Sequence, residues 1–190
     1  MAYQKVTQTR KRVVKPHATI ANISYHLDKH ASEYPRGSQL FRMAGLVMEA
    51  FFIEGYATVV AHNLPNAYDL LAISGTKERI KAIFKAADPG ADFGKRPYQS
   101  VTQLLSFRDN MAHPKEEVLR EEKSLSTACL YEDIESIPWN LRSETEQFCT
   151  PENSLQVRQD MAEILSRTWN SDWASHALDP GTEIVEGKVQ

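Results

Sequence analysis

LLSFRDNMAHPK, residues 104–115, joins an apolar helical run to an arginine, an aspartate and a histidine, and then stops on a proline. Val101, Leu104, Leu105 and Ala112 recur at helical spacing, and Ser100 is placed to cap a helix that runs towards Pro114. A residue before proline is pushed out of helical angles, so His113 is expected at a helix end. Asp109 and His113 are four apart and share a helix face. Arg108 and His113 are five apart, which on a straight helix turns about 500° and leaves the two side chains diverging by roughly 140°. The pair therefore points to a site at helix ends, with a second copy of the helix supplying the missing groups.

Outward from this stretch, every long periodic segment reads as helix. PRG at 35–37 is a breaker, and Ser38 is placed to cap a long helix over 39–62. Leu40, Val47 and Phe51 follow one row, and Phe41, Met48, Phe52, Tyr56 and Val59 another, with gaps at Arg42, Glu49 and Glu54. Such a wide apolar circumference suits a central helix or one half-covered by a second subunit. Asn66 can cap a short helix through Ile73, and Thr76 one from Lys77 to Ala87 carrying Ile80, Ile83 and Phe84. DPGADFGKRP, 88–97, is a loop, and KEEVLREEK, from Lys115, is expected to be helical. Thr150, Pro151 and Glu152 read as the start of a last helix faced by Leu155, Met161, Ile164, Leu165 and Trp169. The segment from 124 to 149 has no clear period. The only alternating run is IVEGKV, at the end. The fold class is all-α, a bundle of four or five helices. Residues 1–37 form a basic, partly flexible N-terminal segment, 38–178 the helical domain and 179–190 a C-terminal tail.

The 190 residues are 42% hydrophobic and 25% charged, which suits one globular domain. Two cysteines, Cys129 and Cys149, make neither a disulfide framework nor a zinc pattern and read as buried spectators, and a cytoplasmic location is the default. The apolar run from Met43 to Ile53 is interrupted by Glu49 and is short for a bilayer, so no membrane is expected. The net charge of −3 conceals an asymmetry: residues 1–36 hold seven Lys or Arg against Asp28 and Glu33, leaving the rest of the chain at −8. TRKRVVK, 9–15, reads either as a solvated terminus or as a phosphate-binding strip. His26 and His30 share a helix face with no third metal ligand in view. FGKRPY, 93–98, sets Lys95 and Arg96 beside Phe93 and Tyr98 and reads either as an ordinary loop or as a strand-contacting loop for nucleic acid. Trp139, Trp169 and Trp173 read as core or interface.

Arginine, histidine and carboxylate without a metal-ligand set suit cleavage of RNA by its own 2′-hydroxyl. Histidine moves protons near neutral pH, arginine stabilises the charged phosphorane, and a carboxylate one turn earlier can fix the histidine tautomer. A surface salt bridge beside a helix-terminal histidine is the competing reading of the same residues. The pattern, an apolar helical run followed by Arg108, Asp109 and His113, resembles the signature of the HEPN superfamily, over about residues 38–175. The resemblance implies a helical bundle paired as a homodimer and a metal-independent endoribonuclease of toxin–antitoxin or phage-defence systems. Its catalytic residues would be Arg108, Asp109 and His113. Lys95, Arg96 and Lys115 are the RNA-binding candidates beside them. No cofactor or metal is implied, and the partners are RNA, a second copy and an antitoxin or regulatory protein. Pro114 and Lys115 depart from one toxin branch, which carries a tyrosine two residues after the histidine. The superfamily also includes non-catalytic members that bind RNA, nucleotide or a partner protein, which is the alternative function.

Overall fold

The computed structural model describes residues 6–12, 16–34, 36–116, 118–120, 142–168 and 183–189. In chain order these form β1 (Val6–Arg12), α1 (Pro16–Glu33), α2 (Ser38–His62), α3 (Ala67–Leu71), α4 (Thr76–Ala87), α5 (Tyr98–Ala112), α6 (Glu144–Phe148), α7 (Pro151–Thr168) and β2 (Glu183–Val189). The core is all-helical, built by the five longer helices, with α3 and α6 as single turns.

The centre of the bundle is α2, which packs against α1, α3, α4, α5 and α7. Its Ile53, Tyr56 and Val60 meet Phe84 of α4, Leu104 of α5 and Ile164 of α7 in one buried cluster. Gly37, at φ 78°, turns the chain into α2 through the left-handed region that favours glycine, so Ser38 is the first helical residue rather than the cap. Instead of capping, the Ser38 hydroxyl accepts from Arg42 Nη1 at 3.2 Å. By length and hydropathy α2 could cross a bilayer, but half of its apolar stretch is buried inside this bundle.

The bundle starts earlier than position 38. Proline at the first position of α1 costs no hydrogen bond, and α1 lies along α2 closely enough that a Cβ at Gly55 would meet His17 Cβ at 2.9 Å. Glu49, which interrupts the apolar pattern of α2, is buried, and the Ser24 hydroxyl of α1 lies 2.7 Å from its carboxylate as a donor. Arg158 of α7 donates to the Ser24 carbonyl at 2.7 Å, and Ser154 donates to Asp28 at 2.6 Å, tying α1 to α7. Residues 16–33 are therefore a structural helix, not a flexible extension. The terminal segments also pair: β1 and β2 form an antiparallel ribbon in which Arg12 opposes Glu183 and Val6 opposes Val189. Part of the basic strip, 9–12, and most of the expected tail are thus strand.

Other boundaries differ for local reasons. Ser100 lies inside α5, where its hydroxyl donates to the buried Asp160 of α7 instead of capping. Residues 114–116 and 118–120 are not helical, contrary to the helix expected over KEEVLREEK, because Pro114 removes a backbone donor and seven of the nine residues are charged with no apolar stripe to bury. The predicted cap at Thr150 is present, its hydroxyl accepting from Asn153 N at 3.2 Å. Residues 121–141 and 169–182, which hold Cys129 and all three tryptophans, lie outside the described residues.

Candidate functional site

The end of α5 forms as the proline requires. His113 leaves helical angles at φ −130°, ψ 63°, yet its N–H still donates to the Asp109 carbonyl at 3.0 Å. Its ring is exposed and has no hydrogen-bond partner among the described residues. It borders a cavity of about 390 Å³ together with Asn110, Lys115 and Ser143.

Arg108 faces the other way, towards α2. Its Nη1 is 2.8 Å from Glu54 Oε1, its Nε is 3.0 Å from Asp109 Oδ1, and its guanidinium carbon stands 6.0 Å from the Phe51 ring centroid. The two ionic contacts are short but misaligned for hydrogen bonding, so Arg108 Nε and Glu54 Oε1 are buried atoms without a directed partner. The attraction is mainly coulombic. Burial raises the Glu54 carboxyl above its usual range; Arg108 works against that rise, Asp109 adds to it, and Arg79 opposes it.

Within one chain the structure thus places Arg108 against α2 with the exposed Asp109 beside it, and His113 in a groove beside α6. The expected hydrogen bond from the His113 ring to the Asp109 carboxylate is not formed. The four-residue spacing supplies a backbone bond, while the non-helical angles at His113 take its ring off the Asp109 row and Arg108 takes the carboxylate.

The RNA-binding candidates separate in the same way. Lys95 is exposed, paired only loosely with Asp92 at 3.6 Å, and Lys115 lies beside His113. Arg96 donates from Nη1 to Asp160 Oδ2 at 2.6 Å, and Asp160 also accepts from Ser100 and from Gln156, so Arg96 neutralises a buried carboxylate. Tyr98 is buried, donating to Asp88 at 2.8 Å, and Phe93 packs on it at 5.3 Å. Of the FGKRPY aromatics, Tyr98 is core and Phe93 is partly buried against it, so neither ring stands free on the surface. Cys149 is buried and its thiol is pushed up to about 11 by that burial, with Glu146 adding to the rise.

His26 and His30 share a face of α1, as their spacing requires, and His30 packs between Tyr34 and Phe41 with ring centroids 4.4 and 4.5 Å away. Among the described residues no three His, Cys, Asp or Glu are grouped to hold a metal.

The sequence reading missed α6 as a wall of the site. Its signal was the pair Ser143 and Glu146, spaced as a capping box: Ser143 Oγ accepts from Glu146 N at 3.2 Å and Glu146 Oε2 accepts from Ser143 N at 2.9 Å. No protein family, curated relative or solved structure matches this chain.

Proposed function

We propose that this protein is a metal-independent endoribonuclease of the HEPN type, in which two copies bring the Arg108 of one chain to the His113 of the other. The observation that carries the reading is an uncommitted histidine at the broken end of α5, five residues after an arginine whose Nε donor has no aligned acceptor. His113 would exchange a proton with the 2′-hydroxyl or the leaving oxygen, and Arg108 would hold the phosphate through two parallel hydrogen bonds. Asp109 positions Arg108 through the Nε contact instead of orienting His113. Lys115 draws the strand to the groove by charge. The cytoplasmic setting and a role against phage or beside an antitoxin belong to the same reading.

A second reading, a non-catalytic helical dimer that binds RNA, nucleotide or a partner protein, is favoured by one specific observation. Glu54 and Asp109 both approach Arg108, so its charge is already balanced within the chain. Incubating RNA with the wild-type protein and with His113→Ala, in EDTA, separates the two. Cutting that persists in EDTA and disappears in the variant supports the nuclease; no cutting by either protein supports the binding module.

A further inference from the structure

Beside the His113 cavity lies a second one, of about 240 Å³, between α5 and α6. The two share Asn110, Glu144 and Thr145, so they form one trough along α5. The apolar side of the inner cavity is Phe148 packed on Phe107, with centroids 5.0 Å apart. The remaining walls carry one carboxylate, two amides and three hydroxyls, of which Ser106 accepts from Lys77 at 2.8 Å. The Glu144 carboxylate is exposed and makes no hydrogen bond among the described residues, and Gln103 Oε1 and Thr102 Oγ1 are buried without a partner. A buried polar atom without a partner is destabilising, which a ligand donor relieves once the partly exposed Gln103 side chain turns towards it.

A flat aromatic floor, side-chain amides and an unpaired carboxylate together match a nucleobase that presents N–H donors. We propose that the α5–α6 trough takes one unpaired base of an RNA strand, selecting a base with an exocyclic amino group, adenine and cytosine among them, over uracil. The base lies against Phe148, its amino group donates to Glu144 or Gln103, and the adjoining phosphate reaches the end of the trough where His113 and Lys115 stand. Uracil lacks the exocyclic amino group and offers the Glu144 carboxylate only its ring N3–H, and one good base contact discriminates roughly 10- to 100-fold, about 1.4–2.7 kcal/mol.

This inference rests on the nuclease reading for the fate of the strand but not for the binding step, and the test keeps the two apart. The full-length His113→Ala protein, which cannot cut by that reading, is titrated with short single-stranded oligo-A, oligo-C and oligo-U, and with AMP, CMP and UMP. Oligo-A and oligo-C are expected to bind at least about 10-fold tighter than oligo-U, with Glu144→Gln and Gln103→Leu each reducing that ratio to about threefold or less. Equal affinity for the three homopolymers, or a ratio that neither substitution changes, overturns the pocket. Binding of AMP and CMP without tighter binding of the oligomers overturns the assignment to an RNA strand in favour of free nucleotide. A wild-type protein that cuts all sequences alike leaves the nuclease standing and removes the pocket. A protein that prefers oligo-A and oligo-C yet never cuts keeps the pocket and removes the nuclease.

Discussion

Arg108 Nη1 lies 2.8 Å from Glu54 Oε1, a contact between α5 and α2 that occupies the arginine proposed to bind phosphate. Burial lifts the Glu54 carboxyl above the ordinary range, so as pH falls towards that raised value Glu54 becomes neutral and its hold on Arg108 weakens. Glu54→Gln should reproduce this at neutral pH. Its RNA affinity should rise about 3- to 10-fold, the fold-change expected from removing one charge that competes for Arg108. The affinity of the wild type should also climb as pH is lowered from 7 towards 5, more steeply than that of Glu54→Gln. Parallel pH profiles would show that Glu54 does not restrain the arginine.

The buried Glu49 gives a stability prediction with a definite sign. Its folded pKa is raised, first by desolvation, while Ser24 and Arg158 lower it and Asp28 raises it again. A carboxyl raised in the fold is tolerated best when protonated, so its contribution to stability is most favourable below the unfolded value of 4.5 and declines as pH rises through the folded value. Glu49→Gln keeps an acceptor for the Ser24 hydroxyl and removes the charge. The Tm difference, variant minus wild type, should therefore grow more positive between pH 4 and pH 7. A difference that is constant with pH would mean that Arg158 fully offsets the burial of the charge.

Arg96 and Lys115, both basic candidates from the sequence, should behave oppositely. Arg96→Ala leaves the buried Asp160 with only Ser100 and Gln156 as donors, at a cost of about 1–2 kcal/mol, since Arg96 is itself partly exposed. That should lower Tm by roughly 2–8 °C in a chain of this size and leave RNA affinity unchanged. Lys115→Ala should leave Tm alone and weaken RNA binding, most visibly at low salt. Thermal melts and salt-dependent binding on the two variants check the pair; a stable Arg96→Ala with reduced affinity would restore Arg96 to the RNA surface.

The contrast between these two residues shows what the sequence discloses. Helix periodicity located α2, α4, α5 and α7 because each carries a continuous apolar stripe, and Pro114 marked the end of α5 by its missing donor. The first helix stayed hidden because its buried face includes His17, Ala18, Ser24 and Ala31, residues too small or polar to register as a stripe. Arg96 looked like an RNA contact because a local reading cannot see Asp160, 64 residues away, which claims its charge. For the same reason the spacing of Asp109 and His113 suggested a side-chain bond, whereas Arg108 competes for the carboxylate.

Helix α1 covers part of the wide apolar circumference of α2, so less of it is left for a second subunit. What stays open includes Phe51, 39% exposed beneath the Arg108 guanidinium. If copies meet there, next to the motif, Phe51→Glu should convert a dimer to a monomer in sedimentation at micromolar concentration without lowering Tm by more than about 2 °C, the scale of a surface change. A wild-type protein that sediments as a monomer would remove the paired site.

The most direct measurement of the central claim is RNA cleavage in EDTA by four proteins side by side: wild type, Arg108→Lys, His113→Ala and the double variant Arg108→Lys/His113→Ala. If Arg108 and His113 form one phosphate-cleaving unit, each single variant should lose at least about 100-fold, and the double variant little more than either. Arg108→Lys should fail because lysine keeps the charge but lacks the planar fork that grips two phosphate oxygens. His113→Ala should retain RNA affinity and Tm, since the ring is exposed and unpartnered. Wild-type cutting matched by Arg108→Lys, or no cutting by any of the four with Tm lowered in the Arg108 variants alone, would contradict the nuclease and leave Arg108 as a structural partner of Glu54.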